Sequence, residues 1–144
     1  MSKPNLSAEL KHLLFERARG CCEYCLSQVN FSPDPFSVEH INPRSRGGTE
    51  ELENLAFSCL GCNFIKSTAV DAIDPVTNVR VPLFHPRLDR WNEHFAWNED
   101  FTLVQGLTPT GRASIVRLDL NREGLINLRE VLVASGKHPP EINW

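Results

Sequence analysis

Gly20-Cys21-Cys22-Glu23-Tyr24-Cys25 and Cys59-Leu60-Gly61-Cys62-Asn63-Phe64-Ile65-Lys66 are the stretches on which the fold turns. A Cys-x-x-Cys turn sets two sulfurs on one edge of a tetrahedron. Two such turns, Cys22 with Cys25 and Cys59 with Cys62, therefore complete the ligand set of one Zn²⁺. Four protein ligands leave no open position for water or substrate, so this zinc is expected to be a scaffold. The other register, Cys21 with Cys25, has the wrong separation, which leaves Cys21 as a small buried thiol. In a reducing compartment this pattern reads as metal ligation rather than as disulfides.

Working outward, Leu6, Leu10, Leu13, Leu14 and Ala18 fall at helical spacing ahead of the first turn, with Ser7 as N-cap and Gly20 as stop. After the first turn, Pro33 and Pro35 punctuate a loop, and a short strand is expected around Phe36 to Ile41. Gly47 and Gly48 open another loop. Leu55 to Ser58 reads as a second strand, and Cys62 to Ala72 as a helix. Beyond Asp74-Pro75 the texture changes to β-like runs at Val79–Phe84, Phe101–Gln105 and Ala113–Leu118, with a turn at Thr108–Gly111. A last helix is expected from about Arg122 to Ser135, with Leu125, Leu128, Val131 and Leu132 inward.

The totals bound the function without choosing it. The 144 residues suffice for one compact domain or a small core with a packed extension. No apolar run approaches a membrane span, and Met1 to Glu9 lacks the layout of a secretion signal, so a cytoplasmic protein with no membrane partner is expected. A net charge of -3 argues against coating nucleic acid nonspecifically, which needs many Lys and Arg on phosphates, but an enzyme needs only a local basic patch.

Between the two cysteine turns lie Val38-Glu39-His40-Ile41-Asn42-Pro43, Arg44 to Gly48 and Glu53-Asn54-Leu55. Singly each polar residue has a plain reading: His40 a hydrogen-bonded strand histidine, Glu39 a surface acid, Asn54 a turn residue, Asn63 a helix cap. Together, in this order and framed by the cysteines, Gly20 to Ser67 resembles the HNH endonuclease family. The resemblance implies an α+β chain with a ββα-metal core, stabilised by the four-cysteine zinc site. An N-terminal helix and a C-terminal β-rich and helical extension would flank it. It implies His40 as general base, a role suited to imidazole because the neutral ring accepts a proton from water. It implies Glu39, at a position usually Asp, and Asn63, where the family more often has His, as ligands of a catalytic Mg²⁺ or Mn²⁺, with Ni²⁺ a substitute in vitro. Asn54 would order the loop carrying His40 and help hold its ring. Because strand neighbours point to opposite faces, Glu39 and His40 could share one site only through a strand end or bulge. Lys66, Arg44 and Arg46 are candidate phosphate contacts. The expected partner is DNA, with RNA also open, and cleavage is expected to leave 5′-phosphate ends.

Residues 1–74 are thus expected to form the nuclease core and 75–144 an extension packed on it. Val81-Pro82-Leu83-Phe84-His85-Pro86-Arg87, Trp91 to Trp97 and Gly106 to Ala113 resemble an extension that follows the core in some family members. His85, Arg87, Arg90, His94 and Arg112 could line a substrate groove with Trp91 and Trp97 stacking on bases, although aromatics at such spacing are more often core. The acids Glu50, Glu51, Glu53, Glu99 and Asp100 read as solvated surface. The rival class is a noncatalytic zinc-knuckle module that binds nucleic acid or recruits a partner. Monomer and homodimer are both open.

Overall fold

A computed structural model describes residues 8–142. The architecture is α+β, with helices and three two-stranded antiparallel sheets among the described residues. No helix among them is long and apolar enough to cross a membrane. The chain divides after Thr68 into two compact units.

In the first unit, α1 (Ala8–Arg17) lays Leu14 into the core, and Ala18 follows it there, while Leu13, expected inside, is half exposed. The expected cap Ser7 and the stripe residue Leu6 lie outside the described residues. Gly20 ends the segment in a left-handed conformation, φ +72°, as a stop glycine should. The Arg17 guanidinium donates to the carbonyls of Leu52 (2.9 Å) and Leu55, pinning the helix to the start of the second strand.

Strand β1 (Ser37–His40) pairs antiparallel with β2 (Leu55–Ser58), with Ser37 opposite Ser58 and His40 opposite Leu55, and no bulge interrupts the register. Helix α2 (Leu60–Lys66) follows at once, capped by the Cys59 sulfur accepting from the Cys62 N–H at 3.3 Å. The helix is shorter than its sequence suggests. Ser67 turns to φ +50°, and residues expected to be its last turns form strand β3 (Asp71–Ile73) instead. Ser67, Thr68 and Val70 hold a helix weakly, and pairing with β4 (Arg80–Pro82) decides the outcome.

The second unit contains β3, β4, a short helix α3 (Trp91–His94), the hairpin of β5 (Phe95–Trp97) and β6 (Val104–Gly106), and helices α4 (Pro109–Leu118) and α5 (Glu123–Ala134). The run Ala113–Leu118, read from sequence as β-like, is helical. Thr108 accepts from the Gly111 N–H at 3.0 Å, and Pro109 occupies the first turn, where its missing N–H costs nothing. In α5, Leu125 and Leu132 are buried as expected, but Val131 is exposed and Arg129 is buried in the stripe. Arg129 donates to the carbonyls of Thr102 (3.0 Å) and Leu120 (2.7 Å) and sits 5.0 Å from the Trp97 ring centre. Trp91, Phe95, Phe84 and Trp97 pack in tilted and edge-on pairs at centroid distances of 5.0 to 5.4 Å, so these aromatics belong to the core of this unit, with Trp97 half-buried at its margin.

Candidate functional site

The four sulfurs of Cys22, Cys25, Cys59 and Cys62 lie within 4.8 Å of one another. Zinc–thiolate bonds of about 2.3 Å around a tetrahedron set neighbouring sulfurs roughly 3.8 Å apart. Cys25 Sγ and Cys59 Sγ are 3.8 Å apart. The donor set fits a structural metal. The first turn is sewn to β2 by Glu23, whose N–H donates to the Phe57 carbonyl (2.9 Å) and whose carboxylate accepts from the Phe57 N–H (2.8 Å). Cys21 stands apart, buried, its thiol pushed up to about 11 chiefly by desolvation, which makes it a poor nucleophile.

The hairpin and α2 meet along alternate residues of β1. Asn63 Nδ2 donates to Ser37 Oγ at 2.8 Å, and Lys66 Nζ donates to Glu39 Oε2 at 2.7 Å and to the Ile41 carbonyl at 2.8 Å. Positions two apart on the strand thus meet positions three apart on the helix, as the two periodicities allow. Tyr24, from the first cysteine turn, donates its hydroxyl to Glu39 Oε1. Glu39 is 2% exposed and Lys66 1%. Burial pushes the Glu39 carboxyl up, and the Lys66 ammonium pulls it back. The ammonium of Lys66 is therefore turned inward, not toward a phosphate.

His40 is the last residue of β1 and follows Glu39 with no bulge between them, so a site shared by the two depends on the strand end. Its Nε2 lies 2.8 Å from Glu50 Oε2. Arg44 grips the same carboxylate with two bonds, Nε to Oε2 at 2.8 Å and Nη2 to Oε1 at 2.9 Å, while staying 63% exposed. Glu50 is held at about 2, first by Arg44 and further by His40. Glu50, read from sequence as solvated surface, is instead largely enclosed and paired with both His40 and Arg44. Its sequence signal is the pair of glycines ahead of it, which fold the loop back. Gly47 adopts φ +87°, and a Cβ on Gly48 would fall 1.7 Å from the Asn42 carbonyl oxygen.

Asn54 ties the same loop shut. Its Oδ1 accepts from the Asn42 N–H at 2.8 Å, and its Nδ2 donates to the carbonyls of Asn42 (2.9 Å) and Thr49 (2.8 Å). Its side chain bonds the loop backbone, whereas the carboxylate of Glu50 bonds the imidazole. Arg46 is exposed and donates from Nε to the Thr68 carbonyl at 2.8 Å.

Residues 22–68 match the HNH endonuclease family model. The HNH segment covers roughly a third of the chain. No curated protein and no solved structure matches.

A hard dication at this HNH segment would call on oxygen donors. Glu39 and the Asn63 side-chain oxygen are of the right kind. Each carboxylate oxygen accepts twice, so Tyr24 and Lys66 leave lone pairs on Glu39. The donor chemistry fits, on condition that the Lys66 ammonium gives way to the incoming charge. In the second unit, residues weighed for a groove are engaged otherwise. Arg112 makes a two-bond pair with buried Asp74 (2.9 and 2.8 Å), and His94 Nδ1 meets Thr108 Oγ1 at 2.6 Å.

Proposed function

We propose that this chain is a metal-dependent HNH endonuclease that hydrolyses phosphodiester bonds in DNA. The observation that carries the reading is a partly exposed imidazole at the end of β1, fixed by a carboxylate, within a ββα unit over four clustered cysteines. His40 takes the proton of the attacking water. Asn54 keeps the His40 loop closed, so the base is held before substrate arrives. Arg44 and Arg46, on the exposed side of that loop, bind substrate phosphates. Asn63 and Glu39 are the protein ligands for Mg²⁺ or Mn²⁺, which when bound supplies charge stabilisation to the phosphate and the leaving 3′ oxygen. Cys22, Cys25, Cys59 and Cys62 hold Zn²⁺ as a structural ion. A cytoplasmic setting is consistent with thiolates kept as ligands.

The test is incubation of purified protein with supercoiled plasmid, alone and with Mg²⁺, Mn²⁺ or Ni²⁺, beside His40→Ala. Nicking that needs an added dication and drops by roughly 10²–10⁴ in the variant supports the reading. Metal-dependent nicking that survives His40→Ala refutes the assignment of the base.

One observation favours a second reading. The buried Glu39–Lys66 pair already neutralises the carboxylate, as it would in a noncatalytic zinc-knuckle module that binds nucleic acid or a partner. Such a module would bind equally well with His40 replaced and would show no cleavage to lose.

A further inference from the structure

We infer that Glu50 is the positioning residue of the base, selecting which nitrogen of His40 meets the water. This rests on the hydrolytic reading above and adds to it a residue and an atom. A carboxylate only accepts hydrogen bonds, so the 2.8 Å contact requires the proton on Nε2. In the neutral ring that a base requires, the open nitrogen is then Nδ1, which bonds no group among the described residues. The working atom of the base is therefore Nδ1, and the ring is held from its far edge.

The support beneath this contact is layered. Glu50 is itself fixed by the two-bond Arg44 pair, which orients both of its oxygens. Arg44 and Glu50 meet because the chain reverses at Gly47 and Gly48, and the reversal is locked by Asn54 on Asn42 and Thr49. Orientation of a catalytic imidazole by a carboxylate fixes both tautomer and ring direction. Here the orienting group comes from the loop after the strand, ten positions on from the base.

The experiment combines plasmid nicking kinetics with observation of the His40 ring proton by NMR, using zinc-loaded full-length protein. Wild type is expected to show a protected low-field Nε2 proton assigned to His40. Glu50→Ala should lose that resonance and lower kcat at least about tenfold, short of the roughly 10²–10⁴ expected for removing the base, with KM within about twofold. Glu50→Gln keeps a carbonyl oxygen as acceptor and should restore both the resonance and most of kcat, which keeps the test decisive if alanine loosens the loop. Glu51→Ala, an exposed neighbour, should behave as wild type. A wild-type ring protonated on Nδ1 overturns the proposal. So does Glu50→Ala with an unchanged ring signal and unchanged kcat. If wild type cuts no DNA, the hydrolytic reading fails, and the ring proton alone still decides whether Glu50 sets the tautomer.

Discussion

At the scale of single residues, the Glu39–Lys66 pair is the contact whose replacement says most. Removing one partner of a buried pair strands the other charge, typically at about 3–5 kcal/mol. Lys66→Met should therefore destabilise the first unit by about that amount in metal-free buffer, read from denaturant midpoints. If Glu39 is a cation ligand, added Mn²⁺ has a vacant anion to bind, and the midpoint of Lys66→Met should recover more than that of wild type rises. A variant equally unstable with and without Mn²⁺ would remove Glu39 from the ligand set. Asn54 is a separate case. Its three side-chain bonds close the His40 loop, and at roughly 0.5–1.5 kcal/mol each Asn54→Ala should cost about 1.5–4.5 kcal/mol. Asn54→Asp should be no better, because it exchanges two donors for an oxygen facing the Asn42 and Thr49 carbonyls.

At the scale of elements, β1 and β2 are readable because Pro35 and the cysteines bracket short apolar runs, and the cysteine spacing announces the cluster between them. Other elements are not, for identifiable reasons. The end of α2 depends on a left-handed Ser67, which no apolar period records. The run Ala113 to Leu118 carries Ile115 and Val116 and looks like a strand, yet the Thr108 cap and Pro109 start a helix that its own propensity does not announce. Arg129 lies inside because Trp97 and backbone carbonyls receive it, and Glu50 meets His40 because a loop folds back. Each is a tertiary event. The Asp74–Arg112 pair, joining the β3–β4 hairpin to α4, is another, and it has a pH signature. Arg112 holds the Asp74 carboxyl well below the ordinary carboxylate range. A depressed folded-state value means stability present above the unfolded value near 3.9 and lost as pH falls below it. Wild type should thus lose stability progressively below about pH 4, and Asp74→Asn should show a flatter acid limb in thermal melts along with lower stability at pH 7. An equally steep limb in the variant would place the acid sensitivity elsewhere.

At the scale of the whole molecule, charge limits how the chain would meet the DNA substrate proposed for it. Lys and Arg number 15 against 18 Asp and Glu, and several arginines are already committed. Arg80 pairs with Asp71, Arg112 with Asp74, Arg129 is buried, and Arg17 serves backbone carbonyls. Lys66 is spent on Glu39. The loop that follows His40 carries Arg44 and Arg46, both exposed, although Arg44 is paired with Glu50 and Arg46 donates to the Thr68 carbonyl. Counterion release then predicts weak duplex binding with a shallow salt dependence, since each neutralised phosphate contributes a slope of about −0.9 in log K against log salt. Binding of an uncleaved duplex by the His40→Ala variant should show a slope of roughly −2, and adding Arg44→Ala should reduce its magnitude by about one. Fluorescence anisotropy between low and moderate salt reads both values. A slope steeper than about −6 would mean a broad cationic face that these committed side chains do not provide, and would shift substrate recognition away from the loop of residues 44–50 to surfaces beyond it.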